Sequence, residues 1–227
     1  MAGLWRSDED LFHLISRELF SAVVGDVMDE IGLTAQFLPP SVRPLDAGMR
    51  VVGRAMPLVA ERISEANADL FEERPFGLML EALDDLKAGE VYVCAAPDTD
   101  FALWGELMTI RARALGAAGA VVEGYYRDSE GVLSQQFPTF GLGPYAQDMR
   151  ARGGIAKFRT TVRIGQVRIQ PGDIVVGDRD GVCVVPIGDE VEVFRMALEK
   201  VRGEQRVRSE MVGGMSASEA FARYGIM

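Results

Sequence analysis

Cysteine, histidine and lysine are scarce in this sequence, and their scarcity excludes several kinds of site. The chain contains two cysteines, Cys94 and Cys183, and one histidine, His13. The cysteines form no CxxC pair, so a Cys/His zinc site cannot be assembled. Both cysteines lie in apolar runs, which predicts buried strand positions. His13 falls on a predicted amphipathic helix and no G-x-S-x-G motif occurs, so a serine triad is excluded and the histidine is interpreted as a packing or surface residue.

Positive charge and long apolar runs are also in short supply. Lys and Arg number 24 against 34 Asp and Glu, which gives a net charge of −10. A general nucleic-acid binder needs a positive face, so this function is not favoured, and any anion site must be built from specific local donors. No segment approaches 18 uninterrupted apolar residues, and the N-terminus lacks a basic region followed by an apolar one. We therefore expect a cytoplasmic protein without membrane insertion or secretion.

Nucleotide-binding motifs are missing as well. No G-x-G-x-x-G follows a predicted strand, and no G-x-x-x-x-G-K-[ST] occurs. These absences exclude the common dinucleotide and P-loop sites. What remains is a chain of 227 residues with 48% hydrophobic and 26% charged residues, which is typical of a globular protein with one substantial core.

Hydrophobic spacing and turn residues predict an α/β domain followed by a helical extension. Helices are predicted for residues 8–19, 23–31, 76–86 and 102–115, and strands for 49–59, 91–96, 120–123, 159–169 and 173–185. The dipeptide Asp180-Gly181 predicts a two-residue hairpin turn. Capping boxes are predicted at Asp189 and at Ser216, opening a long helix to about residue 210 and a short terminal helix. No linker is present, so residues 1–188 are expected to form the catalytic domain and residues 189–227 an extension of the same unit, at a subunit interface.

Gly105 begins the first of two segments that carry a chemical signal. A glycine lets the backbone approach a ligand, and the helix that it opens presents free N–H groups from Glu106, Leu107 and Met108. Such a helix start binds a carboxylate well, because the donors and the macrodipole act together. Trp104, next to Gly105, either walls this pocket or packs in the core.

The second segment is the strand AVVEG and the residues after it. This strand delivers Arg127 and Asp128 beyond its C-terminal end, where ligands bind in α/β sheets. An aspartate suits a metal ion, and an arginine offers a planar fork to an oxygen anion. The alternative is a surface Arg-Asp pair at a strand end, and spacing alone does not separate the two interpretations. No role is assigned to Tyr125, Tyr126 or Tyr145.

Taken together, these residues resemble the RraA-like family. The resemblance is carried by GELMTIRARALGAAGAVVEGYYRD, by the PGD and DGV motifs and by the tail VRGEQRVRSEMVGGMSASEAFARYGI, and it covers roughly residues 23–227. The chain looks most similar to the metal-dependent pyruvate aldolases that act on 4-hydroxy-4-methyl-2-oxoglutarate and 4-carboxy-4-hydroxy-2-oxoadipate. The resemblance implies a swivelling α/β/β domain, assembled as trimers or dimers of trimers.

The resemblance also implies roles for individual residues. Arg127 would contact the pyruvyl oxygens, Asp128 would bind Mg²⁺ or Mn²⁺, and the backbone of residues 105–108 would hold the substrate carboxylate. Glu106 would order a metal-bound water, and Glu204 of a neighbouring subunit would complete the metal's water shell. One departure is Glu123, because members often carry aspartate before the glycine at this strand end. We interpret it as a change that affects substrate fit.

The implied reaction is the cleavage of a 4-hydroxy-2-oxo acid to pyruvate and a carbonyl product. This cleavage and oxaloacetate decarboxylation both leave pyruvate enolate, whose charge a divalent cation stabilises as a Lewis acid, assisted by Arg127. No Schiff-base lysine is needed. The three lysines present, Lys87, Lys157 and Lys200, do not adjoin Arg127 or Asp128 in the sequence.

A non-catalytic regulator is the main alternative. The founding RraA proteins bind ribonuclease E and inhibit it, and the resemblance suggests that they are shorter and lack the C-terminal helix. Here the tail at residues 189–227 is present with Glu204 in place, which favours the enzyme. Menaquinone methyltransferase, another name attached to this family, is not supported because no S-adenosylmethionine motif occurs.

Overall fold

The computed structural model describes residues 5–225. Residues 1–4 of the predicted domain 1–188 and residues 226–227 of the predicted extension 189–227 lie outside these bounds. The helices are α1 Asp8–Glu18, α2 Ser21–Glu30, α3 Ala68–Glu72, α4 Met79–Asp84, α5 Glu106–Ala114, α6 Ser129–Ser134, α7 Glu190–Val212 and α8 Ala217–Tyr224. The strands are β1 Arg43–Pro44, β2 Val51–Arg62, β3 Glu90–Ala95, β4 Ala102–Trp104, β5 Gly119–Val122, β6 Tyr125–Tyr126, β7 Thr139–Gly141, β8 Gly143–Pro144, β9 Gly153–Phe158, β10 Val162–Ile164, β11 Val167–Ile169, β12 Ile174–Asp178 and β13 Gly181–Val185.

The main sheet is mixed and nearly closes into a barrel. Its order is β1-β7-β5-β3-β2-β12-β13, and β9 also pairs with the long strand β2. The β2-β3-β5-β7 pairs are parallel, and β12 and β9 run antiparallel to β2. The segment before β1 reaches the other edge, where the Leu38 N–H donates to the Val182 carbonyl and the Val184 N–H donates to the Gln36 carbonyl, both at 3.0 Å. These bonds satisfy part of an edge that would otherwise be exposed.

Both faces of the sheet are covered, which explains its continuous apolar runs. Alternate residues such as Val91 and Val93 of β3 point into the barrel, where they meet the β10–β11 hairpin. Their neighbours Tyr92 and Cys94 point outward beneath α4 and α5. On the other side of the barrel, Cys183 of β13 packs with α1, α2 and α7. The predicted burial of both cysteines is confirmed, as is the α/β class with a helical C-terminal extension.

The ends of several elements test the predicted caps and turns. Ser7 caps α1 through a 3.1 Å bond from the Asp10 N–H, and the capping box of Ser216 is present on α8. The prediction of a capping box at Asp189 is wrong, because this residue takes a helical backbone conformation and its side chain accepts no capping hydrogen bond. The hairpin turn is displaced by one residue, since Asp178 pairs with Gly181 and the loop is 179–180.

The predicted helix 102–115 is wrong over its first residues. Residues 102–104 form β4, because Ala102 and Trp104 pair with Tyr125 and Tyr126 of β6. The helix begins only after Gly105. Pairing with a distant strand thus overrides helical spacing, as tertiary context often does.

The C-terminal extension belongs to the same core as the sheet. Val193, Phe194 and Ala197 of α7 are fully buried in the cluster that also contains the outward face of β12 and β13. Helix α8 folds back on α7, where the Tyr224 O–H donates to Glu210 Oε1 at 2.7 Å. Within residues 5–225, no helix combines the length and apolar character needed to cross a membrane.

Candidate active site

A small parallel sheet, β4-β6-β8, brings the two predicted segments to one place. Strand β4 pairs with β6, and β6 pairs with β8. The Arg127 N–H continues the first pairing by donating to the Trp104 carbonyl at 2.9 Å. Gly105 and Arg127 therefore leave their strands side by side at the carboxyl edge, which is where parallel sheets place their ligand sites.

Gly105 and Asp128 approach each other so closely that a side chain at position 105 would displace the Asp128 carboxylate. A Cβ built on Gly105 would lie 2.8 Å from Asp128 Oδ2. The same oxygen lies 3.4 Å from the Glu106 N–H, at the start of α5. Asp128 itself has φ 53° and ψ 40°, a left-handed conformation that aspartate tolerates better than most residues. Backbone strain of this kind costs about 1–3 kcal/mol and concentrates at functional sites.

Arg127 lies between two aspartates. Its Nε is 3.6 Å from Asp128 Oδ2, and its Nη1 is 3.5 Å from Asp148 Oδ1. These distances are long for hydrogen bonds, and all three side chains are between 34% and 45% exposed. The guanidinium is therefore held loosely enough to take an anionic ligand.

Asp148 is a site residue that the sequence did not indicate. It lies beside β4 through an isolated bridge to Ala102, whose N–H donates to the Gln147 carbonyl at 2.8 Å. No motif surrounds it, and its position depends on the parallel bridge that the segment after β8 forms with β4. Only the three-dimensional pairing with β4 could have identified it.

The start of α5 supplies a half-buried carboxylate and free donors. The Glu106 side chain packs over Gly131 of α6, where a Cβ would lie 2.4 Å from its Cδ. Glu106 is thus brought next to α6, the helix that begins directly after Asp128. The first N–H groups of a helix have no intrahelical partner, so those of Leu107 and Met108 are available to a ligand in the cavity that both residues line together with Asp128. Leu107 is 79% exposed and Met108 is 9% exposed.

Two cavities meet at Arg127 and Asp128. The larger has a volume of about 410 Å³, within the range of roughly 300–1,000 Å³ that small-molecule sites occupy. It is lined by Phe76, Met79, Leu80, Leu83, Asp84, Ala102, Leu103, Trp104, Gly105, Leu107, Met108, Arg111, Arg127, Asp128, Asp148 and Met149. The smaller, of about 360 Å³, is lined by Arg127, Asp128, Ser129, Pro144, Tyr145 and Ala146.

The aromatic residues near the site now have defined positions. Trp104 is both buried and part of the cavity wall, and its indole N–H donates to Thr109 Oγ1 at 2.8 Å. It also stacks on Phe137 with ring centroids 5.7 Å apart, so this wall is rigid. Tyr145 lines the smaller cavity, and its ring is 5.3 Å from that of Tyr125. Tyr126 is buried, and this burial raises the pKa of its hydroxyl.

Glu123 and Glu204 lie apart from both cavity linings. Glu123 accepts a 3.1 Å hydrogen bond from the Ala96 N–H and thereby holds the loop that follows β3. Glu204 lies on α7, which packs against α1, α2 and α8. A single chain therefore does not bring Glu204 to Arg127.

The donor set fits a hydrated magnesium-type ion better than a metal enclosed by protein ligands. Within the described range 5–225, no group of three or more His, Cys, Asp or Glu side chains could hold a metal. Asp128 offers one exposed carboxylate at the site, with Glu106 close by. Mg²⁺ keeps several waters and is commonly bound through one or two carboxylates, so this set suits Mg²⁺ or the similar Mn²⁺.

Comparison with known proteins identifies the family, and the relatives include one named as an aldolase and one named as a member of a ribonuclease-inhibitor family. A protein of Halalkalibacterium halodurans, provisionally named 4-hydroxy-4-methyl-2-oxoglutarate aldolase, is 30% identical over 206 residues, covering 90% of each chain. RraAS2 of Streptomyces coelicolor, an unusual member of the RNase ES inhibitor RraA protein family, has a TM-score of 0.80 at 25% identity. That match covers 90% of this chain and 100% of RraAS2.

A shorter relative shares the fold alone. The RNA-processing inhibitor RraA of Thermus thermophilus has a TM-score of 0.56 at 22% identity, and the match covers 71% of this chain and 92% of that one. The sequence itself matches the family described as RraA-like, Aldolase/RraA, over residues 21–184. This range includes Gly105, Arg127 and Asp128. The chain belongs to the RraA-like family.

Proposed function

We propose that this protein is a lyase that cleaves a 4-hydroxy-2-oxo acid to pyruvate and a carbonyl product, with Mg²⁺ or Mn²⁺ held at Asp128. The observation that carries the proposal is the approach of Asp128 Oδ2 to Gly105 at the start of α5, with Arg127 alongside. The N–H groups at the start of α5, the Arg127 guanidinium and the Asp128 carboxylate, which could bind a metal, thus border one cavity of suitable volume. The name given to the H. halodurans relative supports this class of reaction.

The residues of this chain orient the substrate from its carboxylate end. The N–H groups of Leu107 and Met108 and the N-terminal dipole of α5 bind the C1 carboxylate. Arg127 then lies beside the 2-oxo oxygen and can donate from its planar fork. The stacked wall at Trp104 limits movement of the bound acid.

Cleavage breaks the C3–C4 bond and moves its electron pair into the 2-oxo group. Negative charge then develops on the 2-oxo oxygen, where Arg127 stabilises it. The 4-hydroxyl loses its proton as C4 becomes a carbonyl, and C3 takes up a proton to give pyruvate. Glu106, whose side chain packs over Gly131, is proposed to orient the water that carries these protons. A bound divalent cation supplies further Lewis-acid stabilisation of the same charge. Oxaloacetate loses CO₂ to give the same enolate, so decarboxylation of oxaloacetate is part of the proposal.

The active unit is proposed to be a homo-oligomer, a trimer or a dimer of trimers. Glu204 lines neither of the two cavities described above, and it is half-buried on the second half of α7. A neighbouring subunit could therefore present it to the metal's water shell. A small-molecule substrate, rather than nucleic acid, also suits a chain with a net charge of −10.

A panel of 4-hydroxy-2-oxo acids together with oxaloacetate tests the proposal. Pyruvate release is coupled to lactate dehydrogenase, with Mg²⁺, with Mn²⁺ and without added metal. We expect metal-dependent release from at least one acid and from oxaloacetate. No release from any of them with either metal would reject the proposed lyase.

Inhibition of a ribonuclease is the second candidate, and the match to RraAS2 favours it. That relative is covered over its whole length and matches 90% of this chain, so the tail does not separate enzymes from regulators as the sequence suggested. An RNA-cleavage assay with ribonuclease E and increasing amounts of this protein distinguishes the two functions. The lyase proposal predicts no inhibition at equimolar protein, whereas stoichiometric inhibition without pyruvate release would establish the regulator.

A further inference from the structure

Asp148 borders the larger cavity, yet the proposed reaction gives it no step. Its Oδ1 lies 3.5 Å from Nη1 of Arg127, whereas Oδ2 of Asp128 lies 3.6 Å from Nε of the same guanidinium. Two carboxylates at nearly equal distance thus attract different nitrogens of one side chain. A charge-assisted N–H···O bond is normally about 2.7–2.9 Å long, so neither aspartate has closed on the arginine.

The backbone around Asp148 is held in place without the help of its carboxylate. The Ala102 N–H of β4 donates to the carbonyl of the residue before Asp148 at 2.8 Å. Nη1 of Arg152 donates to the Asp148 carbonyl at 3.2 Å, and the Arg152 N–H donates to the Met149 carbonyl at 2.8 Å. Met149 is 3% exposed, which anchors this segment in the core. The carboxylate is therefore presented to Arg127 from a fixed support, and its replacement by an isosteric amide should leave that support intact.

Arg127 and Asp128 are neighbours in the chain and carry opposite charges. If Asp148 lost its charge, Asp128 would be the one of these two carboxylates left to attract the guanidinium. A closed pair between them would place a positive charge against the carboxylate that is proposed to hold Mg²⁺ or Mn²⁺. That charge would repel the metal ion, and the hydrogen bonds of the pair would occupy oxygen lone pairs that the metal needs.

We propose that Asp148 is a positioning residue that keeps the Arg127 guanidinium from closing on Asp128. The Asp128 carboxylate then stays free for the divalent ion, and the planar fork of Arg127 stays open to the substrate. The inference rests on the proposed function to the extent that Asp128 holds that ion. It is drawn from contacts made within one chain, so it holds equally when a metal ion or a neighbouring subunit completes the cavity.

Binding of Mn²⁺ alone, without substrate, provides the test. Electron paramagnetic resonance detects the unbound ion and gives the Kd for the wild type and for Asp148→Asn. We expect Asp148→Asn to weaken binding about 10-fold, the lower end of the usual effect of residues that orient a metal ligand from outside its coordination shell. Arg127→Ala should instead bind more tightly than the wild type, because it removes the cation beside Asp128. Circular dichroism verifies the fold of each variant.

The double variant separates positioning from the negative charge of Asp148 itself. If Asp148 acts through Arg127, Asp148→Asn should weaken binding by less than about 2-fold in the Arg127→Ala background. If only its charge matters, the loss should be the same in both backgrounds. Asp84→Asn is the matched control, since Asp84 borders the same cavity but pairs with Arg111. Its effect should be equal in both backgrounds.

The inference requires the loss caused by Asp148→Asn to be at least about 3-fold larger with Arg127 present than without it. A smaller difference, including no loss at all, would overturn it, as would an equal dependence on Arg127 in the Asp84→Asn control. These results would leave the lyase proposal intact. A wild type that binds no Mn²⁺ would reject the metal site of the proposed function, and this inference with it.

Discussion

Gly105 is the residue whose size decides whether α5 and Asp128 can share one site. A methyl group at position 105 would lie 2.8 Å from Asp128 Oδ2, so Gly105→Ala must displace the carboxylate. We expect kcat/KM to fall on the order of 10²-fold, because a displacement of about 1 Å at a reacting centre has that effect. Gly188→Ala is the control, since a Cβ there meets nothing within 4 Å. Equal activity of the two variants would contradict the role of this close approach.

Arg127 tests whether geometry or charge matters at the anion site. Arg127→Lys keeps the charge but loses the planar fork, so we expect a loss of about 10²-fold or more in kcat/KM. Arg195→Lys, at an exposed pair on α7, is the matched control and should behave like the wild type. Steady-state kinetics with the best substrate of the panel give both values. Near-wild-type kinetics of Arg127→Lys would assign this arginine to the structure alone.

The two thiols should be inert in the folded protein. Cys94 and Cys183 are fully buried, and burial raises the pKa of each thiol well above its ordinary value. The reactive thiolate is therefore scarce at neutral and mildly alkaline pH. Ellman's reagent at pH 8 should detect neither thiol in the native protein and both after unfolding. Rapid reaction of one thiol without denaturant would contradict the buried positions.

At the scale of elements, strands with strong apolar runs could be predicted and short strands could not. Strands β3 and β5 are buried on both faces, so VYVCAA and AVV identify them directly. Strand β4 consists of three residues that only its partner β6 holds in place, and its spacing is equally compatible with the helix that follows. Asp148 could not be predicted for the same reason, because only its bridge to Ala102 of β4 brings it to the site. The predicted site residues between Gly105 and Asp128 did come together, because a glycine before a helix and charges after a strand are local signals.

Capping of the last helix gives a prediction at this scale. Ser216 Oγ accepts a 3.2 Å bond from the Glu219 N–H, whereas Asp189 makes no such bond to α7. Ser216→Ala should destabilise α8 by about 1 kcal/mol, the usual loss for an N-cap serine. Asp189→Ala should change the stability of α7 by less than about 0.5 kcal/mol. Hydrogen exchange of the amides in each helix measures both effects, and the reverse order would contradict the observed caps.

At the scale of the whole molecule, the position of Glu204 predicts a shared site. If Glu204 serves a neighbouring subunit, Arg127→Ala and Glu204→Gln proteins should each be poorly active alone. Joint refolding of equal amounts should restore about one site in four. An intact site needs Arg127 from a Glu204→Gln chain and Glu204 from a neighbouring Arg127→Ala chain, and random assembly in a cyclic oligomer gives this arrangement about a quarter of the time. Pyruvate release measures the recovery. No gain in oligomers shown to contain both chains would mean that Glu204 acts within its own subunit or only stabilises α7.

The most direct measurement is pyruvate release by the wild type and by Asp128→Asn under the same metal conditions. The substitution keeps the size of the side chain but removes the carboxylate that borders Gly105 and Arg127. Wild-type activity should disappear with excess chelator and return with Mg²⁺ or Mn²⁺, because one exposed carboxylate holds such an ion reversibly. Asp128→Asn should retain its fold and release no pyruvate at any metal concentration. Full activity of the chelated wild type, or of Asp128→Asn, would contradict a metal-dependent lyase at this site.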